Sequence, residues 1–171
     1  MFGRIARYIP AAISAFAAIV FLDSLRFKFT DHPNTQEIFG RLDGWAGSLG
    51  APGLFGHTGL FSQYVIGTAE LLASTLLLVG LVPGLQRLNA LGALIGLAVM
   101  SGAVSFHLFT PLGVDPNNDG GGLFAAAVTI WITTIVLLII RRNDLIDLVR
   151  DVGRAFVPQR ATAPTPLRAA A

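Results

Sequence analysis

Four long stretches of this chain are almost free of charge, and they constrain its fold more than any other feature. They run from about residue 8 to 29, 62 to 82, 88 to 111 and 122 to 140. A helix needs about 20 residues to cross the ~30 Å hydrocarbon core of a bilayer, and each stretch is long enough. Backbone polar groups in lipid must be satisfied internally, which leaves helices or closed barrels. The runs are continuous rather than alternating, and a barrel needs many more of them. The expected fold is therefore all-α, an integral membrane bundle of four transmembrane helices within residues 1–142. Composition agrees: only 13% of residues are charged and 53% are hydrophobic, against roughly a quarter charged in an ordinary globular domain. The chain has no cysteine, so disulfides, thiolate nucleophiles, Cys-ligated zinc and iron–sulfur clusters are excluded.

The joints between the stretches fit helices. Pro10 falls in a first turn, where its missing N–H costs little. Pro83 and Gly84 mark a tight turn, Pro111, Gly113 and Pro116 end the third stretch, and Gly120, Gly121 and Gly122 precede the fourth. The connection over residues 30–61 is the longest; it is expected to hold a short interfacial helix near 34–48 and then a glycine-rich loop capping the bundle. Trp45, Phe55 and Phe61 there suit a headgroup zone. After the fourth stretch, Leu145, Ile146, Leu148, Val149, Val152 and Phe156 recur at helical spacing with Arg150 and Arg154 opposite. Residues 143–157 therefore read as an amphipathic helix on the membrane surface, and the Ala/Pro/Thr-rich residues 158–171 as a disordered tail.

Lys and Arg counts set the orientation. In a four-span chain the N-terminus, the 83–87 turn and the C-terminal segment share one side, and they hold nine basic residues; the other side holds Arg26, Lys28 and Arg41. Both termini are thus expected in the cytoplasm and the 30–61 loop outside, in a multi-pass inner-membrane protein. The basic residues are not clustered for nucleic acid. Read instead as a signal peptide cleaved after Ala15-Phe16-Ala17, the first stretch would be lost and three helices would remain; its apolar run continues past that point.

Ionisable residues inside a span are expensive and mark candidate sites. At 1.5 Å per residue, Asp23 lies roughly 9 Å, Glu70 roughly 12 Å and His107 on the order of 5 Å from the outer helix ends. All three share the outer half of the bilayer. Gln63, Gly67, Glu70 and Ser74 form one helical stripe, and Gly92, Gly96, Ala103 and His107 another. The Gly92/Gly96 pair suits close helix packing, so the acid and the imidazole are expected to point inward. A buried carboxylate needs a partner, and whether Glu70 finds a charged one turns on whether Arg26 or His107 reaches it. Asp23 and Arg26, one turn apart, can instead pair with each other. Residues 115–120, Asp-Pro-Asn-Asn-Asp-Gly, copy the opening of a calcium loop, but Ala126 stands where its bidentate acid belongs. The reading preferred there is a turn with Asp119 capping the fourth helix, and no metal site is assigned. His32 and His57 read as solvated loop residues.

The stretches Phe21-Leu22-Asp23-Ser24-Leu25-Arg26-Phe27-Lys28-Phe29, Gly67-Thr68-Ala69-Glu70-Leu71-Leu72, His107-Leu108-Phe109-Thr110-Pro111-Leu112-Gly113 and Asp119-Gly120-Gly121 together resemble the DoxX-like family of small four-helix bacterial membrane proteins, over about residues 8–141. The family takes its name from a membrane subunit of a thiosulfate:quinone oxidoreductase, and other members are linked to redox stress or thiol homeostasis. The resemblance implies a quinone-linked, redox-accessory role. It matches Glu70, His107 and Asp119 to polar family positions and Arg26 and Lys28 to basic ones. Without cysteine, any thiol step would fall to a membrane or extracytoplasmic redox partner. The expectation is a cleft walled by Phe and Leu, with Glu70 and His107 binding a quinone headgroup and relaying protons while Arg26 or Lys28 offsets negative charge. Ser74 and Asp23 complete the candidate set. No cofactor motif is visible apart from this implied quinone, and no catalytic residue is assigned. Two other readings stay open: a non-enzymatic module that stabilises or recruits a partner, and a small transporter, which as a single four-helix unit lacks the usual inverted repeat and would work as a homo-oligomer.

Overall fold

A computed structural model describes residues 8–155. The expected disordered tail, and the last two residues of the expected amphipathic helix, lie outside the described residues. Six helices follow one another: α1 Ile9–Lys28, α2 Pro33–Ser48, α3 Gln63–Val79, α4 Gln86–Phe109, α5 Gly122–Ile140 and α6 Arg142–Ala155. Among the described residues there is no strand. Three helices, α1, α4 and α5, are long and apolar enough to cross a membrane; α3, with 17 residues, is apolar but shorter.

Local chemistry explains where the helices stop. The second apolar run was expected to reach residue 82, but helical bonding ends at Gly80. The N–H groups of Leu81 and Val82 bond back only three residues, to Leu78 and Val79 at 3.1 Å, and Pro83 cannot extend the helix. Gly84, at φ +91°, then makes the turn. α4 ends at Phe109 rather than 111 because Thr110 precedes Pro111, which disfavours the helical region; Thr110 is extended at φ −126° and ψ 168°. α3 opens on Ser62, whose Oγ accepts from the Val65 N–H. α5 opens on the Asp119 carboxylate, which accepts from the N–H groups of Gly121, Gly122 and Leu123 at 2.9–3.1 Å. The interfacial helix read near 34–48 is α2, with Pro33 in its first turn and the His32 ring accepting from the Asn34 N–H.

α3 lies against both α1 and α4, α4 against α5, and α5 touches α1 more lightly; α6 folds back onto α4. Small side chains make the close contacts, as they do where helices meet without a hydrophobic driving force between them. Ala17, Ala73, Ala90 and Ala93 are fully buried around Phe21, Leu77, Ile130 and Leu137. A Cβ on Gly92 would stand 2.7 Å from the Leu77 nitrogen and 2.9 Å from the Ala73 oxygen, and one on Gly96 would meet the Phe21 ring at 3.2 Å. Gly80 is closer still to the Asn89 backbone.

One end of this assembly is locked by Asn89. Its buried amide donates to Ser14 Oγ and the Leu77 carbonyl, both at 2.8 Å, and accepts from Arg141 Nε at 3.2 Å. α1, α3, α4 and α5 therefore meet in one fully satisfied polar knot. At the same end Arg87 pairs with Asp151 at 2.5 Å and Asp147 at 4.0 Å, which holds α6 in place. The opposite end, where α1 finishes and α5 begins, carries the polar groups singled out from the sequence.

Candidate functional site

The inward face of α1 runs through Ser14, Ala17, Ala18 and Phe21. Continuing at helical spacing, it reaches Ser24 and Lys28. On α3 the buried stripe Gln63, Gly67, Glu70, Ser74 faces it. Lys28 Nζ lies 3.0 and 3.1 Å from the two Glu70 carboxylate oxygens and donates to Ser24 Oγ at 3.1 Å. The Ser24 hydroxyl donates to Glu70 at 2.6 Å or, with the same proton, to the Phe21 carbonyl at 2.9 Å. The three side chains form a closed triangle in which Glu70 is 3% exposed and Lys28 16%. Gly67 makes the approach feasible: a Cβ there would touch the Phe29 ring at 3.2 Å and the Lys28 stem at 3.4 Å.

This triangle forms part of the wall of a cavity of about 480 Å³. The rest is mostly apolar, and six phenylalanines (21, 27, 39, 55, 61 and 106) contribute to it. α2 covers the cavity through Ile38, Phe39 and Leu42, and α5 closes one flank through Ala127 and Ile130. Phe55, expected among headgroups, is instead 3% exposed. It packs edge-on against Phe106 at 5.1 Å, and its N–H is held by the Asp43 carboxylate at 3.0 Å. The glycine-rich loop thus turns this ring inward, a fold-back that aromatic composition alone does not reveal.

The other candidates are dispersed. Arg26 takes the local pairing read from its spacing and does not reach Glu70: it pairs with Asp23 at 2.9 Å, both well exposed, and lies 4.6 Å from the Phe27 ring centre. Two residues of helix separate Arg26 from Lys28 by about 200°, so only one of them can face α3. His107 does not meet Glu70 either. It is buried, with Nδ1 2.6 Å from the Gly113 carbonyl and its ring against Phe124, so it ties the end of α4 to the following turn. Ser74 bonds to the Glu70 main-chain carbonyl at 2.8 Å, one turn below the carboxylate. Asp119 is both helix cap and part of the cavity rim. Its bonds from Leu123, Gly121 and Gly122 hold its pKa below the usual carboxylate value.

Sequence reasoning left out Ser24 as a site residue and overlooked a second polar cluster. Asp31, in the left-handed region at φ +53°, accepts from Tyr64 at 2.7 Å, Gln63 at 2.6 Å and Gln36 at 3.3 Å. His57 stands 3.7 Å away. The bond from Tyr64 is the main reason the Asp31 pKa is lowered. Gln63 also donates to the Lys28 carbonyl at 2.7 Å, so this cluster pins the last turn of α1 above Glu70. Extrapolating the stripe Ser14–Phe21 would have found Ser24 and Lys28. Asp31 and His57 carry no comparable periodic signal.

Among the described residues there is no group of three or more His, Asp or Glu able to hold a metal ion. No protein-family model, no curated protein and no solved structure matches this chain.

Proposed function

We propose that the chain is a DoxX-like, multi-pass inner-membrane protein, a four-helix transmembrane bundle with both termini cytoplasmic, whose cavity holds a quinone headgroup in a redox-accessory role. In this arrangement α3 is the fourth span; its 17 residues are at the short end of the workable range of about 17–25. The observation that carries the reading is a buried, charged triangle in the wall of an otherwise apolar, Phe-rich cavity. A buried ion pair is weak stabilising material beside well-packed apolar residues of the same volume, so stability alone gives little reason to place one here. The cavity falls within the roughly 300–1,000 Å³ usual for small-molecule sites, which combine apolar walls with a few convergent polar groups. Phenylalanine faces suit a flat ring. Lys28 would donate to a ring carbonyl, and the Glu70 carboxylate would accept from the hydroxyl of the reduced form. Two-electron chemistry belongs to the quinone and its electron donor, a membrane or extracytoplasmic partner protein.

Extraction and mass spectrometry of protein purified in lipid nanodiscs tests this, with wild type beside Glu70→Gln and Lys28→Met. Wild type is expected to retain a quinone stoichiometrically, and the folded variants to lose it. Recovery of bulk lipid alone from wild type would overturn the quinone reading.

A further inference from the structure

α2 covers the cavity with a stripe at helical spacing, Thr35, Ile38, Phe39 and Leu42. Three of its members are apolar and the first is not. Thr35 is 5% exposed. Its N–H is held by the His32 carbonyl at 2.9 Å, but its hydroxyl has no hydrogen-bond partner among the described residues. No fully enclosed side-chain N or O atom lacks a partner there, so the small accessible part of Thr35 includes that hydroxyl. The open space that Thr35 lines is the cavity. The other polar groups of the wall are accounted for. Ser24, Lys28 and Glu70 satisfy one another, and Asp119 accepts from the cap N–H groups. Asn34 is exposed and Asn117 half-buried, so both reach solvent. Among these polar residues Thr35 alone is both deeply buried and unpartnered at its side chain. A buried hydroxyl in that state costs stability that valine, of nearly the same shape, would not.

We infer that Thr35 is a specificity residue of the cavity: its hydroxyl hydrogen-bonds a second ring oxygen of a flat ligand whose first oxygen sits against the Glu70–Lys28–Ser24 triangle. The inference rests on the reading that the cavity holds a quinone headgroup, and it adds the residue that favours two ring oxygens over one. The triangle belongs to α1 and α3 and Thr35 to α2, so the two contacts reach the ligand from different walls. A hydroxyl is suited to both states of such a ring, because it donates as well as accepts. Thr35 donates to a carbonyl of the oxidised ring and accepts from a hydroxyl of the reduced one. At the triangle the same two tasks fall to Lys28 and Glu70. A ligand bound through one oxygen alone would leave the Thr35 hydroxyl unpaired in an apolar stripe.

The test measures binding of two probes to the full-length protein in nanodiscs, under reductant and against empty nanodiscs. They are tetramethylhydroquinone and the tetramethylphenol that lacks its second hydroxyl. The variants are Thr35→Val, which keeps the shape and removes the hydroxyl, and Thr35→Ser, which keeps the hydroxyl. Wild type and Thr35→Ser are expected to bind the hydroquinone about fivefold more tightly than the phenol, the ratio that one neutral hydrogen bond supplies. Thr35→Val is expected to lose that preference while holding the phenol within about twofold of wild type, which also shows that it folds. A preference kept by Thr35→Val, or equal weakening of both probes, would overturn the role given to Thr35. So would equal binding of the two probes by wild type, which leaves the headgroup site standing. Failure of wild type to bind either probe would remove the headgroup site and the part of Thr35 in it together.

Discussion

Replacing Lys28 with Met should cost more than any other single substitution in the triangle. The change keeps the length of the stem and removes the ammonium that lies 3.0 and 3.1 Å from the Glu70 oxygens. Glu70 is 3% exposed, so water cannot replace the lost partner, and only the Ser24 hydroxyl remains. Breaking a buried pair from one side typically costs about 3–5 kcal/mol. With Lys28 itself 16% exposed, the lower end of that range, about 3 kcal/mol, is expected. Glu70→Gln should be milder, on the order of 1–2 kcal/mol: the amide oxygen still accepts a bond, and the lysine can extend toward water. In the double variant no buried charge is stranded. Its loss should fall short of the sum of the single losses by about 2 kcal/mol. Reversible unfolding in mixed detergent micelles, run as a double-mutant cycle, measures all four corners. A Lys28→Met loss below about 1 kcal/mol, or strict additivity, would refute the claim that the pair is both buried and mutually dependent.

Glycine replacements should change sign along α4. Gly92→Ala pushes a methyl into the backbone of α3 and should destabilise by about 1–3 kcal/mol, whereas at Gly102 a methyl makes only ordinary contact with the Phe106 ring at 3.7 Å and should stabilise by up to about 1 kcal/mol; unfolding midpoints in micelles separate the two. Asn89→Leu strands the Ser14 hydroxyl and the Leu77 carbonyl and leaves Arg141 only its pair with Asp144; it should cost about 2 kcal/mol in the same assay. The Asp119 pKa is lowered by its cap bonds from the ordinary aspartate value of 3.8. Its contribution is therefore full above pH 3.8 and disappears as pH falls through the lower folded value. Asp119→Ala should flatten the acid limb of the stability–pH curve in that window and leave the neutral limb parallel to wild type. Because the chain lacks cysteine, Ser48→Cys and Leu85→Cys report sidedness directly. A membrane-impermeant maleimide should label Cys at 48 in intact cells and Cys at 85 only after lysis; the reverse pattern would invert the proposed topology.

Helix content was legible because apolar runs, Pro10, Ser62 and Asp119 act locally, through backbone geometry and capping that need no tertiary partner. The i, i+3 pair Asp23–Arg26 was legible for the same reason. The partner of Glu70 was not, because depth in a span narrows the choice to one level and says nothing about how α1 is rotated. Arg26 and Lys28 are both cationic and almost equally far along α1, yet they leave the helix in nearly opposite directions. Only the rotation fixed by Ser14, Ala17 and Phe21 selects Lys28. His107 was read in the same outer half as Glu70 but is claimed by the Gly113 carbonyl six residues on, a contact created by the turn after Pro111. Phe55 and His57 depend on how the 14-residue loop between α2 and α3 folds back, and Asp31 on the short turn between α1 and α2; such paths have no periodicity to read.

The two ends of the molecule divide the labour. At the Asn89 end every close approach is made by glycine, alanine or a satisfied polar group, and α1, α3, α4 and α5 are tied there in one knot. At the Lys28 end, the ion pair and Gly67 bring α1 and α3 together beside the cavity. The ion pair therefore places buried charge where the fold leaves space. A triangle that is weak as a stabilising device is reasonable as part of a binding wall, because its charged groups line an otherwise apolar cavity. Replacing the pair with well-packed apolar residues would then yield a protein that folds at least as well and encloses less space. That outcome separates a bundle built around a ligand from one that is merely imperfectly packed.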